Sequence, residues 1–265
     1  SYCNLLGVRV VGDGFEVVEP RAVRLVAVTH ASNLTGDIYD APRMAAAAHA
    51  AGALFVLDAA QTAGVVPIDM AADGYDVVCF TGHKSLYGPQ GTGGLAVAQD
   101  LEIRPLKEGG SGMRSYEERQ PAVMPDHLEA GTLNSHGLAG LCAGVSYVQE
   151  QGVTQVAARL QALSARLEAG LRQIPRVTVY GGAPERRTGV VAFNVGAVDS
   201  ALVADRLSND HGIATRAGAH CAPLMHAALG TVEQGAVRMS LSVFSTEEEI
   251  DAAVAAVGAI ANEIY

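Results

Sequence analysis

One lysine in a glycine-rich segment is the group best suited to covalent chemistry. Lys84 lies in TGHKSLYGPQGTGG, residues 81–94, directly after a short apolar strand predicted at 76–80. A lysine at a strand end, among hydroxyls and a histidine that can hold a phosphate, is typical of a Schiff-base nucleophile. The five glycines of this segment let the backbone approach a bound group closely. The alternative is a surface lysine in a glycine-rich turn.

Two earlier apolar segments also end in polar side chains. The strand predicted at 54–57 leads into Asp58 and Gln61, and the strand predicted at 25–29 leads into His30 and Asn33. The carboxyl ends of parallel strands face the ligand crevice of an open α/β sheet. A carboxylate there suits the pyridinium nitrogen of pyridoxal phosphate (PLP), and Gln61 could donate to the phenolic oxygen of that ring. The alternatives are a helix N-cap for Asp58 and turn chemistry for His30 and Asn33.

A candidate reactive thiol lies far downstream, in RAGAHCAPL at residues 216–224. Cys221 follows His220 directly and lies five residues after Arg216. Nearby positive charge favours the reactive thiolate form of cysteine. A lone cysteine is otherwise more often a small buried hydrophobic residue, but the flanking glycine and proline predict a loop and therefore favour function.

Together these segments resemble the class V aminotransferase superfamily of PLP enzymes, fold type I, and within it the cysteine desulfurase and selenocysteine lyase-like branch. The resemblance extends from about residue 5 to the C-terminus. Six motifs carry it in the same order: THASNLTG at 29–36, LDAAQTAG at 57–64, FTGHKSLYGPQGTGGL at 80–95, EAGTLN at 129–134, RAGAHCAPL at 216–224 and VRMSLSVFSTEEEID at 237–251.

The resemblance implies a set of cofactor-binding residues. Lys84 resembles the lysine that forms the Schiff base with PLP. Asp58 resembles the partner of the pyridine nitrogen, and Gln61 the contact to the phenolic oxygen. Thr81 and His83 resemble residues that contact the cofactor phosphate.

The resemblance also implies substrate-binding and catalytic residues. Asn33 and Arg238 resemble groups that hold the substrate carboxylate, which the fork of an arginine matches with two hydrogen bonds. Arg216 resembles a second basic position at the same site. Cys221 resembles the cysteine that becomes a persulfide, and His220 beside it could tune the thiol or relay a proton.

The implied activity is that of a PLP-dependent cysteine desulfurase, which converts L-cysteine to L-alanine and moves the sulfur to Cys221. The alternatives are another class V enzyme, such as a selenocysteine lyase or an aminotransferase, and a non-catalytic homologue without cofactor. Thr132 resembles a residue donated across a dimer interface to the partner's cofactor phosphate. The expected partners are therefore a second copy of the chain and a sulfur-acceptor protein.

The chain departs from the family at its start. Members of the family carry roughly a hundred further residues upstream, with a Thr-rich phosphate-binding turn and a histidine that stacks on the cofactor. Neither is found in this sequence, and residues 1–4 resemble the end of a large-domain helix. We therefore expect the chain to lack the N-terminal segment of the family.

The composition disfavours several classes of protein. The 265 residues carry a net charge of −10, which disfavours nucleic acid or an anionic membrane as a partner. No apolar run approaches the roughly 18 residues of a membrane-spanning helix. The four cysteines are scattered and indicate neither a metal site nor a disulfide framework. A reducing, cytoplasmic location is therefore expected.

The order of elements predicts an α/β fold, because short strands alternate with helices as in a parallel sheet. We expect a PLP-dependent transferase fold with a partial large domain at 1–150 and a smaller α+β domain at 151–265. Residues 107–127, with a charged stretch at 114–120, are expected to be irregular. The remaining predicted strands are 93–98, 177–179, 189–194, 213–216 and 236–241. The predicted helices are 40–51, 137–151, 153–174, 198–209 and 246–263.

Overall fold

A computed structural model describes residues 8–11, 14–17, 23–110, 112 and 116–263. Residues 1–4 lie outside the described residues, and so do Arg114 and Ser115 of the charged stretch. The strands are β1 (Val8–Val11), β2 (Gly14–Val17), β3 (Leu25–Thr29), β4 (Leu54–Asp58), β5 (Val77–Thr81), β6 (Gly93–Val97), β7 (Val177–Tyr180), β8 (Val190–Val195) and β9 (Val237–Ser240). The helices are α1 (Ala41–Ala50), α2 (Ser135–Gln151), α3 (Val153–Arg172), α4 (Ser200–His211), α5 (Pro223–Leu229) and α6 (Glu247–Glu263).

The first large sheet is mostly parallel. Its order is β3-β4-β5-β6, with β3, β4 and β5 parallel and β6 antiparallel at the edge. Parallel strands need a crossover connection, and α1 supplies it between β3 and β4. Asp40 caps α1 by accepting from the backbone N–H of Arg43 at 3.3 Å. The expected α/β fold with a mostly parallel sheet is confirmed.

The two faces of this sheet differ in burial. One face buries Val26, Phe55, Leu57 and Val78 against the apolar side of α1. The other face carries Asp58 and has an exposed leucine on each of three strands. These leucines are Leu25 (47% exposed), Leu54 (38%) and Leu95 (48%).

The C-terminal part has its own core. The antiparallel sheet β7-β8-β9 packs its apolar side chains with those of α3, α4 and α6 in one buried cluster. An apolar stripe on α3 lies in the interior: Leu163, Leu167 and Leu171 are at most 4% exposed. The first turn of α6 forms a capping box, because Thr246 Oγ1 accepts from Glu249 N and Glu249 Oε2 accepts from Thr246 N.

The two parts of the chain meet at α3. Gly152 separates α2 from α3 with a φ of 78°, and Val65 from the first part packs with Val156 and Leu160 of α3. The domain boundary between residues 150 and 151 stays a prediction. The break between α2 and α3 at Gly152 supports it. Among the described helices, none is long and apolar enough to cross a membrane.

The structure differs from the sequence-based expectation between α4 and β9. Residues 213–216 form only an isolated bridge, from Arg216 to Arg238, because the chain turns at Gly218 with a φ of 96°. The helix α5 follows at once and is too short to show a periodic pattern. His226 of α5 is 2% exposed, and its Nδ1 lies 2.7 Å from Thr231 Oγ1, which gives the buried ring a polar partner.

Candidate active site

Three strand ends bring polar side chains together at one edge of the first sheet. Thr29 of β3 pairs in register with Asp58 of β4, and Asp58 pairs with Cys79 of β5. Thr81 lies two residues beyond Cys79, on the same face. The parallel register therefore places Asp58 between its neighbours and opens this edge to a ligand.

Asp58 is exposed and begins a tight turn. Its Oδ1 accepts from the backbone N–H of Ala60 at 2.9 Å, so the carboxylate has the local turn contact that aspartate commonly makes. The turn continues to Thr62, whose buried hydroxyl lies 2.9 Å from His30 Nδ1. Gln61 lies half-buried within this turn. The turn fixes the β3 and β4 ends to each other and leaves the carboxylate at the surface.

The Lys84 turn is built from short local contacts. Thr81 Oγ1 and His83 Nδ1 are 2.8 Å apart, and Tyr87 N donates to Lys84 O at 3.0 Å. Tyr87 has a left-handed φ of 56°, which is uncommon for a residue other than glycine. An unusual backbone conformation therefore closes the turn that carries the lysine.

Helix α2 packs directly on this turn. A Cβ on Gly144 would lie 2.1 Å from Leu86 O, so the close approach requires glycine. The ring of Tyr87 contacts Tyr147 of α2, with ring centroids 6.0 Å apart, and Phe244, with centroids 5.6 Å apart. The aromatic cluster of Tyr87, Tyr147 and Phe244 thus joins the Lys84 turn to α2 and to the segment after β9.

The charges around Lys84 converge from distant parts of the chain. Although the side chain reaches solvent, burial lowers the pKa of Lys84 from its ordinary value. The Asp58 carboxylate opposes this shift, Arg238 adds to it, and the Cys221 sulfur opposes it. Asp58, Arg238 and Cys221 therefore all lie close enough to act electrostatically on the Lys84 amine.

The Cys221 loop is held against β9. Arg216 and Arg238 exchange two backbone hydrogen bonds, of 3.1 and 2.7 Å, before the chain turns back. His220 and Cys221 then adopt consecutive left-handed conformations, with φ of 51° and 57°. Such residues persist only where the surroundings enforce them, and they cluster at functional sites. Cys221 is exposed, and Arg216 Nη2 lies 4.0 Å from its Sγ.

The His220 ring is buried beneath this loop. It is 2% exposed, and its Nε2 lies 2.8 Å from Ala236 O. Burial lowers the pKa of His220, the Ala236 carbonyl opposes that shift, and Arg238, Arg216 and His226 add to it. A neutral ring that donates from Nε2 follows. The sequence carries no signal for Ala236, because its contribution is a backbone carbonyl.

Asn33 connects the Cys221 loop to Arg238. Its Nδ2 donates to His220 O at 2.6 Å, and its backbone carbonyl accepts from Arg238 Nη1 at 2.8 Å. Burial and the nearby charge of Arg216 lower the pKa of Arg238, and the Cys221 sulfur opposes this. Arginine nevertheless keeps its charge in proteins. The structure thus brings Asn33, Arg216, Arg238 and Cys221 into one cluster.

Three further observations help to locate the site. Thr132 is exposed in the segment before α2. An apolar cavity of about 440 Å³, lined in part by Val66, Ile68, Val78 and Phe80, lies on the sheet face opposite Asp58. Since its lining offers no titratable side chain, we place the candidate site at the Lys84 edge. Among the described residues, no group of three His, Cys, Asp or Glu could hold a metal ion.

Curated relatives match most of the chain. The chain is 37% identical over 233 residues to a probable cysteine desulfurase of Methanothermobacter thermautotrophicus, covering 86% of this chain and 58% of that protein. It is 39% identical over 234 residues to a cysteine desulfurase of Escherichia coli O157:H7, covering 86% of this chain and 56% of that protein. The chain thus spans somewhat more than half the length of these curated relatives.

Solved structures agree in fold. The apo cysteine desulfurase of Thermococcus onnurineus NA1 matches with a TM-score of 0.81 and 30% identity, over 92% of this chain and 62% of that one. The cysteine desulfurase CsdA of Escherichia coli matches with a TM-score of 0.83 and 31% identity, over 93% and 61%. The expected PLP-dependent transferase fold is therefore confirmed.

The family assignment rests on the whole matched region. The sequence profile of the aminotransferase class-V family matches residues 13–253, which include every segment of the candidate site. The chain therefore belongs to the class-V aminotransferase family.

Proposed function

We propose that this chain carries the active site of a PLP-dependent cysteine desulfurase, which converts L-cysteine to L-alanine and transfers the sulfur to Cys221. The observation that carries the proposal is the convergence of Asp58, Arg238 and Cys221 on the Lys84 amine. A lysine nucleophile, an acid, a carboxylate-binding cation and a thiol are the groups that this reaction requires. The desulfurase names of the relatives support the same reaction.

The donor set fits PLP. Lys84 would bind the aldehyde carbon, Asp58 would face the pyridine nitrogen, and Gln61 would donate to the phenolic oxygen. Thr81 and His83, joined by a 2.8 Å contact beside Lys84, would contact the phosphate. When bound, PLP supplies an electron sink for charge that develops at the substrate Cα.

The substrate carboxylate would lie against Arg238 and Asn33. Arg238 is half-buried, and its Nε is buried without a hydrogen-bond partner among the described residues. A buried donor of this kind is costly unless a partner is supplied. A bound carboxylate would satisfy it, with Arg216 as a second cation nearby.

The lowered pKa of Lys84 suits proton transfer. Because the pKa of Lys84 lies below the ordinary lysine value, its amine loses the proton at lower pH. It can therefore act as a base nearer to neutrality. Free of the cofactor, Lys84 would remove the proton from the substrate Cα and later return a proton there. The additional proton, which the Cys221 thiol releases, would go to the Cβ that becomes the alanine methyl.

The sulfur-transfer step would use Cys221. Its sulfur attacks the sulfur of L-cysteine, the substrate Cβ–S bond breaks, and its electron pair stays with carbon. The products are L-alanine and a persulfide on Cys221, so atoms and electrons balance without an external oxidant. The buried His220 ring, bound to Ala236 O, would hold the loop for this attack.

We also propose two protein partners and a cellular location for the enzyme. A second copy of the chain would bring its Thr132 to the cofactor phosphate, and a sulfur-acceptor protein would take the persulfide from the exposed Cys221. A reducing compartment such as the cytoplasm would keep this thiol free.

The site of cofactor attachment can be tested by peptide mapping. The chain contains two lysines, Lys84 and Lys107, so the attached residue can be identified without ambiguity. Borohydride reduction of the PLP-loaded protein, followed by peptide mapping, is expected to leave the reduced cofactor on Lys84. Lys107, exposed in the irregular segment, is the internal control. Reduced cofactor on Lys107 or on neither lysine would contradict the proposal.

The reaction class can be tested at the thiol. Cys221→Ala is expected to abolish alanine formation from L-cysteine, whereas Cys142→Ala, at an exposed cysteine of α2, leaves it unchanged. Alanine formation from L-cysteine at the wild-type rate in Cys221→Ala would contradict the proposed transfer, because the Cβ–S bond would then break without the Cys221 thiol.

A further inference from the structure

A fully buried arginine lies near the candidate site without belonging to it. The Arg187 side chain has no exposed surface, and its Nη1 forms an ion pair with Glu168 Oε2 of α3 at 2.8 Å. Its Nη2 donates to Gly182 O at 2.9 Å and lies 3.9 Å from Asp37 Oδ1. A buried charge is tolerated when it is paired and hydrogen-bonded, and Arg187 has two carboxylates around it.

The anchor of this network is α3. Glu168 is 5% exposed by its side chain, and its Oε1 also accepts from Arg172 at 2.7 Å, one helical turn further on. Arg172 reaches solvent, with 47% of its side chain exposed. The ion network therefore runs inward from the surface of α3, through Glu168 and Arg187, to Asp37.

Asp37 holds the turn that carries Asn33. Its Oδ2 accepts from Thr35 Oγ1 at 2.6 Å, and its Oδ1 accepts from Gly182 N at 2.7 Å. Its backbone carbonyl accepts from Ser32 N at 2.9 Å. The bonds from Thr35 and Ser32 close the 32–37 turn on itself, and the bond from Gly182 joins this turn to the 182–187 segment.

The turn also packs tightly against Arg187 itself. Gly36 has a φ of +78°, and a Cβ there would lie 2.4 Å from Val190 O and 2.9 Å from Arg187 Cγ. The backbone of Asp37 forms a β-bridge with Arg187, and Thr188 N donates to Gly36 O at 2.9 Å. A shift of Arg187 would therefore be transmitted to the turn.

Asn33, at the other end of the 32–37 turn, contacts the candidate active site. Asn33 binds His220 O through its amide and Arg238 through its carbonyl. We propose that Arg187 is a positioning residue that, through Asp37, holds the Asn33 turn and the Cys221 loop in place against α3. The inference rests on the proposed function, because Asn33 and Arg238 matter to turnover only if they hold the substrate carboxylate.

If Arg187 only stabilised the fold, apolar residues could replace it and Glu168 without disturbing the Asn33 turn. Apolar residues of similar volume often replace a buried ion pair without loss of stability, whereas removing one partner leaves a costly unpaired charge. The double variant Glu168→Met/Arg187→Met therefore separates the two roles, since it keeps the interior filled and removes the contact to Asp37. Asp37→Asn, at a half-buried position, weakens the same contact without touching the Glu168 pair.

Hydrogen exchange provides the readout that is independent of activity. In both variants, amides of residues 32–36 and 218–222 are expected to exchange about tenfold faster or more, because these segments open more often. Peptides from α6 are expected to exchange as in the wild type. The matched control is Arg206→Met, which removes an arginine paired with Asp210 and Glu263 at the surface. Unchanged exchange at 32–36 and 218–222 in both variants would overturn the proposal.

Steady-state kinetics of the holoenzyme supply the second readout. The KM for L-cysteine is expected to rise about tenfold or more in both variants, with a smaller effect on kcat, because a displaced binding group weakens substrate positioning. Faster exchange at 32–36 with an unchanged KM would also overturn the positioning role. If the wild-type holoenzyme does not turn over L-cysteine, the proposed function fails, while hydrogen exchange still decides whether Arg187 holds the turn.

Discussion

At the scale of single residues, the proposed chemistry depends on the protonation state of Lys84. The amine is partly desolvated, and the neighbouring Asp58 and Arg238 act on it in opposite directions. Residue types and their order identified Lys84, Asp58 and Cys221 as candidates. No spacing in the sequence could show that Arg238 and Cys221 act on the same amine, because these residues are brought there by β9 and its adjoining loop.

The pH dependence of Lys84 is a direct consequence. Its pKa lies below the ordinary lysine value of about 10.4, so its amine loses the proton at lower pH than a free lysine. Acylation of Lys84 in cofactor-free protein, followed by peptide mapping across pH, is expected to show a midpoint below that of Nα-acetyl-lysine amide. A midpoint at or above that of the reference would contradict the desolvated environment.

The sequence does not show which distant residues Asn33 and Arg187 contact. Asn33 has the ordinary features of a turn residue, and its contacts to His220 and Arg238 bridge 187 and 205 positions of sequence. Arg187 likewise follows another arginine in an unremarkable polar stretch. Long-range contacts of this kind have no local sequence signal, so only the fold identifies them.

At the scale of elements, the periodic segments agree closely with the sequence-based predictions. Strands β3, β4, β5 and β6 and the long helices begin and end within two residues of the expected positions. The strand expected at 213–216 differs, because Gly218 and two left-handed residues end its pairing with β9 after a short contact. Backbone geometry imposed by a tight loop therefore overrode the local β propensity.

The contact of α2 with the Lys84 turn gives a stability prediction. Gly144→Ala would place a Cβ 2.1 Å from Leu86 O, so the helix or the turn must shift. The free energy of unfolding is expected to fall by about 1–3 kcal/mol, as for other overpacked positions. Denaturant unfolding measures it directly.

The matched control for this change is another helical glycine. Gly258→Ala in α6 meets its nearest atom, Ile174 Cδ1, only at 3.9 Å. Alanine is favoured over glycine within a helix by about 0.5–1 kcal/mol, so this variant is expected to be more stable than the wild type. Equal effects of the two substitutions would show that α2 does not pack tightly on the Lys84 turn.

At the scale of the whole molecule, two separate cores support one site. One core lies between α1 and the first sheet, and the other joins the antiparallel sheet to α3, α4 and α6. Lys84 and Asp58 belong to the first part, whereas Arg238 and Cys221 belong to the second. The site therefore depends on how the two parts are held together, which is the role proposed for Arg187.

The exposed sheet face is the other feature at this scale. Parallel sheets are normally buried on both faces, yet Leu25, Leu54 and Leu95 are exposed beside Asp58. The 265-residue chain is expected to bind the apolar dye ANS at this face. Leu54→Lys/Leu95→Lys should reduce dye fluorescence without lowering the Tm. Leu202→Lys, at a leucine of α4 that is 50% exposed, should change it little. A large fall in Tm would show that the face is covered.

The proposed reaction moves the sulfur of L-cysteine to Cys221, and peptide mapping by mass spectrometry can detect it there. After brief exposure of the PLP-loaded enzyme to L-cysteine, the Cys221 peptide is expected to carry one additional sulfur atom, with an equivalent amount of L-alanine in solution. The Cys142 peptide is expected to remain unmodified. Alanine formed without sulfur on Cys221, or with the sulfur on Cys142, would contradict the account.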